Sequence, residues 1–196
     1  MVKKITKARI IGLYLNDYSK RYYLREMESL LNKPHQTIKP YAEELVKEGI
    51  LVKEVRKKII EFRLNFKNQK IHDYLIISEK ERLIEKLQEE TLLNLLYEKL
   101  SKYFQDSTFI IFGSASEQIR KGSDIDLLVI GGKNINSEVK NFEEVYNKKI
   151  HKIQVKEFNK ATQTLVKEVY KKHLILNNTE KILGFFGELY EKNKLV

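Results

Sequence analysis

Two short, uninterrupted apolar runs constrain this chain more than any other feature: Phe109-Ile-Ile-Phe112 and Leu127-Leu-Val-Ile130. Both are too short for a helix. Glycine follows each, as Gly113-Ser114 after the first and Gly131-Gly132 after the second, so Thr108–Phe112 and Ile125–Ile130 read as buried strands. Downstream the pattern alternates. Ser137–Asn147 is expected as helix, Ile150–Phe158 as strand, Asn159–Lys171 as helix and Thr179–Lys192 as a final helix, with His173–Leu176 fitting either state. Strands alternating with helices predict a small α/β or α+β domain, a mixed sheet with flanking helices.

The first third has a different rhythm. Ile5, Ile10, Ile11, Leu13, Tyr14 and Leu15 supply one helical stripe ending near Asn16-Asp17. Leu24–Leu31 predicts a second short helix, stopped by Asn32-Lys33-Pro34. Ile38, Tyr41, Ala42, Leu45 and Val46 predict a third, closed by Gly49. Two β-rich runs, Ile50–Val55 and Ile59–Phe66, flank the basic tip Arg56-Lys57-Lys58. Helices followed by a basic hairpin is the order of a winged helix-turn-helix. Between the thirds, Ser78-Glu-Lys-Glu81 has the form of a capping box and predicts a helix start. Leu92, Leu93, Leu95, Leu96 and Leu100 mark another helix, readable as linker, dimer seam or core. The resulting division is residues 1–70, a helical connector 71–90, and 91–196.

Charge separates the same regions. Residues 1–70 carry 17 Lys+Arg against 8 Asp+Glu, whereas residues 71–196 carry 20 against 19, so nearly all of the net +10 belongs to the first third. A basic module beside a near-neutral one predicts a polyanion-binding domain attached to something else. Zero cysteine excludes disulfides, thiolate zinc sites and thiol nucleophiles. The four histidines show no ligand spacing. No run of 18 apolar residues and no signal-type start is present, which predicts a soluble, cytoplasmic protein without a membrane partner.

The stretch from Phe109 to Val129 carries the chemistry. A strand delivers Gly113-Ser114 to an expected helix start, where backbone N–H groups and a hydroxyl favour phosphate oxygens. Asp124 and Asp126 bracket Ile125 at the start of the next strand, and residues two apart share a strand face. Paired carboxylates favour a hard divalent cation, magnesium or manganese. A phosphate cradle with paired acids is what metal-assisted nucleotidyl transfer requires.

The string of Gly-Ser, nine residues, Asp-apolar-Asp and apolar flanks resembles the DNA-polymerase-beta nucleotidyltransferase superfamily in its minimal nucleotidyltransferase branch. With its first third, the chain resembles archaeal proteins that fuse a winged helix to such a domain. The resemblance implies that Gly113, Ser114 and Ser123 contact the triphosphate of an NTP, with ATP the expected one. It implies that Asp124 and Asp126 bind Mg2+ or Mn2+ and are catalytic. A third carboxylate is expected on the Ile150–Phe158 strand, where the matching position is Gln154; Glu157 falls three positions on. Glu117-Gln118 stands where the family often has Arg-Gly.

In a winged helix the third helix reads the major groove, so Gln36, Thr37, Lys39 and Tyr41, with His35, are expected to face double-stranded DNA. Lys57 and Lys58 would contact phosphate from the wing. Pro40 requires either that this helix start near Lys39 with Thr37 as its cap, or that it bend. Two functions follow. One is an Mg-dependent transferase moving a nucleoside monophosphate from an NTP to a protein or RNA hydroxyl. The other is a degenerate transferase domain acting as a nucleotide- or partner-sensing transcriptional regulator, or as the antitoxin-like member of a toxin–antitoxin pair; either form could be a homodimer.

Overall fold

The computed structural model describes residues 4–56, 59–120 and 122–195. Among them the chain is mixed α+β and divides into two compact units, Met1–Arg82 and Leu83–Val196.

The first unit is three helices and a small sheet. Thr6 begins α1 (Lys7–Gly12), its hydroxyl accepting from Arg9 N at 3.1 Å. The helix is shorter than its apolar stripe predicts, because residues 13–16 continue as turns. β1 (Tyr22–Tyr23) leads into α2 (Leu24–Leu31), whose Glu26 carboxylate accepts from Tyr23 N at 3.0 Å. Asn32 ends it in the left-handed conformation, which asparagine tolerates. α3 runs from His35 to Lys47 with Pro40 inside it. Of the two alternatives, a start near Lys39 capped by Thr37 is thus excluded: Thr37 N and Ile38 N both donate to Pro34 O, and Pro34 is the N-cap. β2 (Leu51–Arg56) and β3 (Ile59–Leu64) pair antiparallel, and β1 adds to β3, giving the order β1-β3-β2. Two residues of β1 carry no periodicity and exist as a strand only through Tyr22↔Phe62 and Tyr23↔Glu61. Ile10, Ile11, Tyr14, Met27, Ile38, Leu45 and Phe62 are fully buried, and the Tyr14 hydroxyl donates to Phe62 O at 2.8 Å.

α4 (Ile71–Glu89) carries the boundary between the units. It starts seven residues before the expected capping box. Asn68 turns the chain in, its O accepting from Ile71 N and its Oδ1 from Lys70 N, each at 3.0 Å. Ser78 is therefore interior, and its hydroxyl donates back to Tyr74 O at 2.6 Å.

The second unit has one sheet, β6-β5-β4-β7, built from β4 (Ser107–Phe112), β5 (Ile125–Gly131), β6 (Ile150–Val155) and β7 (His173–Ile175). β4 lies antiparallel to β5 and β7, while β5 and β6 run parallel. One face carries Phe109, Ile111, Ile125, Leu127 and Val129. It forms a single buried cluster with Leu93, Leu96 and Leu100 of α5 (Thr91–Ser101) and Phe142 of α6 (Asn136–Tyr146). Leu93, Leu96 and Leu100 are thus core of this unit, while Leu92 and Leu95 are partly buried against it. The opposite face, with Phe112, Asp126 and Ile130, turns toward α7 (Gln163–Lys171) and α8 (Thr179–Glu191). Among the described residues no helix is long and apolar enough to cross a membrane.

Candidate active site

The N-terminal end of β5, the C-terminal end of β4 and the start of β6 meet at one end of the sheet. The register sets Asp126 between Phe112 on β4 and His151 on β6. Phe112 gives way to Gly113, which turns the chain with φ +64° into a four-residue 3-10 turn, Gly113–Ser116. The α-helix expected after Gly-Ser is absent there; the first regular helix to follow β4 is α6. The Gly113 turn lies directly against the carboxylate: a Cβ on Gly113 would stand 2.8 Å from Asp126 Oδ2. On its other oxygen, Asp126 Oδ1 is 3.1 Å from His151 Nδ1. Asp126 is about one-third exposed (31 %) and His151 mostly exposed (62 %), so the imidazole is free to swing away.

These groups open into a cleft of about 440 Å³ lined by Phe112, Gly113, Asp126, His151, Ile153, Glu168, Lys171 and Lys172. Helix α7 supplies its charged wall. Lys172 is tied to the turn twice: its backbone O accepts from Gly113 N at 3.1 Å, and its ammonium pairs with Glu117 at 3.3 Å. The Gly113 amide is therefore already engaged. Ser114 is exposed beside it, while the Ser116 hydroxyl donates to Gly113 O at 2.8 Å and stabilises the turn. Asp124 is exposed on the loop just before β5, and it has no hydrogen bond or ion pair among the described residues. The Ser123 hydroxyl donates to Arg120 O at 2.9 Å, so it braces its own loop.

Gln154 is not the neighbour of the acids. It pairs with Val129, three residues along β5 from Asp126, and strand alternation puts it on the other face. Its amide donates to Gly131 O and Lys133 O at 3.1 and 3.0 Å, at the far end of β5. Glu157 lies beyond β6 and pairs with Lys160 at 2.7 Å. His151, Ile153 and Val155 are what β6 presents on the Asp126 face, His151 directly opposite Asp126, and Glu168 of α7 is the second acid of the cleft. Sequence reasoning passed over both His151 and Glu168, because neither sits in a motif and only the register and the helix packing bring them here.

Among the described residues no three acids, histidines or cysteines assemble into a metal cage. The donor set still suits magnesium of one kind. Mg2+ is commonly held by one or two carboxylates together with substrate phosphates. Asp124 and Asp126 would supply two such carboxylates.

In the first unit, Gln36, Thr37 and Lys39 are exposed on α3, opposite buried Ile38, Ala42 and Leu45, and Tyr41 is half-buried. His35 Nδ1 lies 3.2 Å from Glu28 Oε2. On the sheet, Glu54 pairs with both Arg21 and Arg63. Two arginines of the basic excess are thus partly neutralised. Lys57 and Lys58 lie outside the described residues, as does Lys121.

Comparison with known proteins places a match in the second unit. Residues 94–181 match the family model "Polymerase beta, Nucleotidyltransferase", a span that contains Gly113, Ser114, Asp124 and Asp126. No curated protein matches the chain. Among solved structures, a crystal structure of a toxin–antitoxin MntA–HpeT mutant aligns with a TM-score of 0.38 at 14% identity, covering 51% of this chain and 86% of that one. A crystal structure of the toxin-antitoxin with AMP-PNP gives the same values.

Proposed function

We propose that the second unit is a nucleotidyltransferase that transfers a nucleoside monophosphate from an NTP, with ATP the expected donor, to a protein or RNA hydroxyl. The observation that carries this reading is the Asp126 carboxylate lying against the Gly113 turn, inside the matched family span. In this reading Gly113 and Ser114 bound the phosphate side of the cleft, and Asp124 and Asp126 hold the metal. The metal, when bound with the nucleotide, screens phosphate charge and polarises the α-phosphate. The acceptor oxygen bonds to the α-phosphorus as the bond to the pyrophosphate oxygen breaks. Glu168, across the cleft, is the carboxylate available to take the acceptor proton. Lys171 and Lys172 oppose the charge of the departing pyrophosphate.

Incubation with α-labelled ATP, magnesium and candidate acceptors tests the transfer. Label on protein or RNA that is lost in Glu168→Gln supports it; tight nucleotide binding without any label transfer refutes it. A second reading has its own support. His151, not an acid, faces Asp126 from β6, which suits a domain that binds nucleotide without transferring it, as a sensor or as the antitoxin-like partner of a toxin.

The first unit is proposed as a winged helix that binds double-stranded DNA, with residues 1–70 as its extent. Its charge of +9 and the exposed Gln36, Thr37 and Lys39 on α3 support this. Lys57→Ala with Lys58→Ala is expected to lower the slope of log K against log salt by about 2, since each phosphate contact contributes about 0.9. Fluorescence anisotropy over a salt series measures it, and an unchanged slope removes the wing from the interface.

A further inference from the structure

We infer that Lys148 is a positioning residue for the metal-binding arm: its buried ammonium fixes the turn that delivers Asp124 beside Asp126. The inference rests on the nucleotidyltransferase reading above and names a residue that no motif contains. Lysine is almost never buried unless its donors are satisfied, yet Lys148 is only 7% exposed. No carboxylate pairs with it among the described residues. Instead its Nζ donates to two main-chain carbonyls, Arg120 O at 2.7 Å and Ser123 O.

These two acceptors bracket the turn ahead of Asp124. Arg120 O receives three donors in all: Lys148 Nζ, the Ser123 hydroxyl at 2.9 Å and Ser123 N at 3.3 Å. Gly122, at φ +84°, supplies the conformation that lets the chain reverse. On the far side of Asp124 the next anchor is Ile125 N, which donates to Lys149 O at 2.9 Å. Asp124 itself has no hydrogen bond or ion pair among the described residues. It is suspended between two attachments, one to Lys148 and one to Lys149. With Lys148 removed, the upstream attachment keeps, among the described residues, only the bonds internal to its own turn, and the separation of the two carboxylates is no longer set.

Two carboxylates chelate a cation well only when their spacing is fixed before the ion arrives. The effect of losing Lys148 is therefore expected in the metal dependence of nucleotide binding rather than only in folding. The experiment is calorimetric titration of the full chain with a non-hydrolysable ATP analogue at graded Mg2+, for wild type, Lys148→Met and Lys148→Arg. Lys148→Met is expected to raise the half-saturating Mg2+ about tenfold, and Lys148→Arg, which restores a buried cation donor, to bring it back within about threefold. A brace with a merely structural role would lower the melting temperature and the binding-competent fraction, with unchanged half-saturating Mg2+ in the folded fraction; that result overturns the inference. Where Lys148→Met does not fold, Lys148→Gln serves, with about a threefold rise expected and no change overturning it. A wild-type chain that binds no magnesium–nucleotide refutes the nucleotide reading and this inference with it. Binding by wild type with unaltered magnesium dependence in the variants refutes the inference alone.

Discussion

Asp126→Asn is expected to weaken magnesium-dependent nucleotide binding by about 100-fold or more, equivalent to about 2.7 kcal/mol. The substitution preserves shape and removes the charge at the point where the cleft concentrates its contacts. Both oxygens of Asp126 are committed in geometry: Oδ2 faces the Gly113 turn and Oδ1 faces His151 Nδ1 at 3.1 Å. An amide nitrogen in either place presents hydrogens where a cation needs lone pairs. Asp124, exposed and with no hydrogen bond or ion pair among the described residues, is expected to show a smaller effect as Asp124→Asn, about tenfold. The fold should barely register either change. Asp126 is near the end of an inner strand and partly exposed, with its partner imidazole mostly in solvent, so melting temperatures within a few degrees of wild type are expected. Calorimetry with the ATP analogue and magnesium measures the affinity, and unchanged binding in Asp126→Asn would remove the proposed metal site.

How much of this was legible depends on whether the signal was local. The strands β4 and β5 were readable because an apolar run closed by glycine has few alternatives, and the Gly-Ser turn and acid pair sit within 14 residues of one another. The third position of the site was not. Matching apolar flanks around Gln154 ignored the pairing register, and register alone decides which β6 side chains share a face with Asp126. Once Ile125 lies opposite Ile150, residue 151 is forced beside Asp126 and residue 154 is forced away. Glu168 reaches the cleft from a helix 42 positions later in the chain, which no spacing rule foresees.

The misplaced helix start has the same root. Ser-x-x-Glu is a cap only if the preceding residues are not already helical, and Ser78 satisfies its hydroxyl equally well by bonding to Tyr74 O within the helix. Pro40 shows the converse. Its ring removes one intrahelical donor, but it comes near the helix start on an exposed face, and Pro34 already fixes the entry. Burial of Ile38, Ala42 and Leu45 carries the helix through it. Lys148 gave no signal whatever, since an isolated lysine in a lysine-rich sequence reads as solvated surface.

Gly113→Ala is expected to be nearly as damaging to binding as loss of the acid, for a reason the carboxylate variants cannot probe. Gly113 holds φ +64°, a conformation that costs an L-residue about 1–2 kcal/mol. Its Cβ would also stand 2.8 Å from Asp126 Oδ2, closer than any relaxed contact allows. The backbone cannot retreat easily, because Gly113 N donates to Lys172 O and Ser116 donates to Gly113 O. Asp126 must therefore yield, rotating its carboxylate away from the Gly113 turn. Both costs should appear, and separately. Thermal or urea unfolding should show about 1–2 kcal/mol of destabilisation from the backbone term. Calorimetry on the folded protein should show affinity for the magnesium–nucleotide reduced by about 10- to 100-fold. Combining Gly113→Ala with Asp126→Asn should then add little further loss in binding, since both act on the same carboxylate. Fully additive losses would mean that the glycine serves the phosphate directly and not through Asp126.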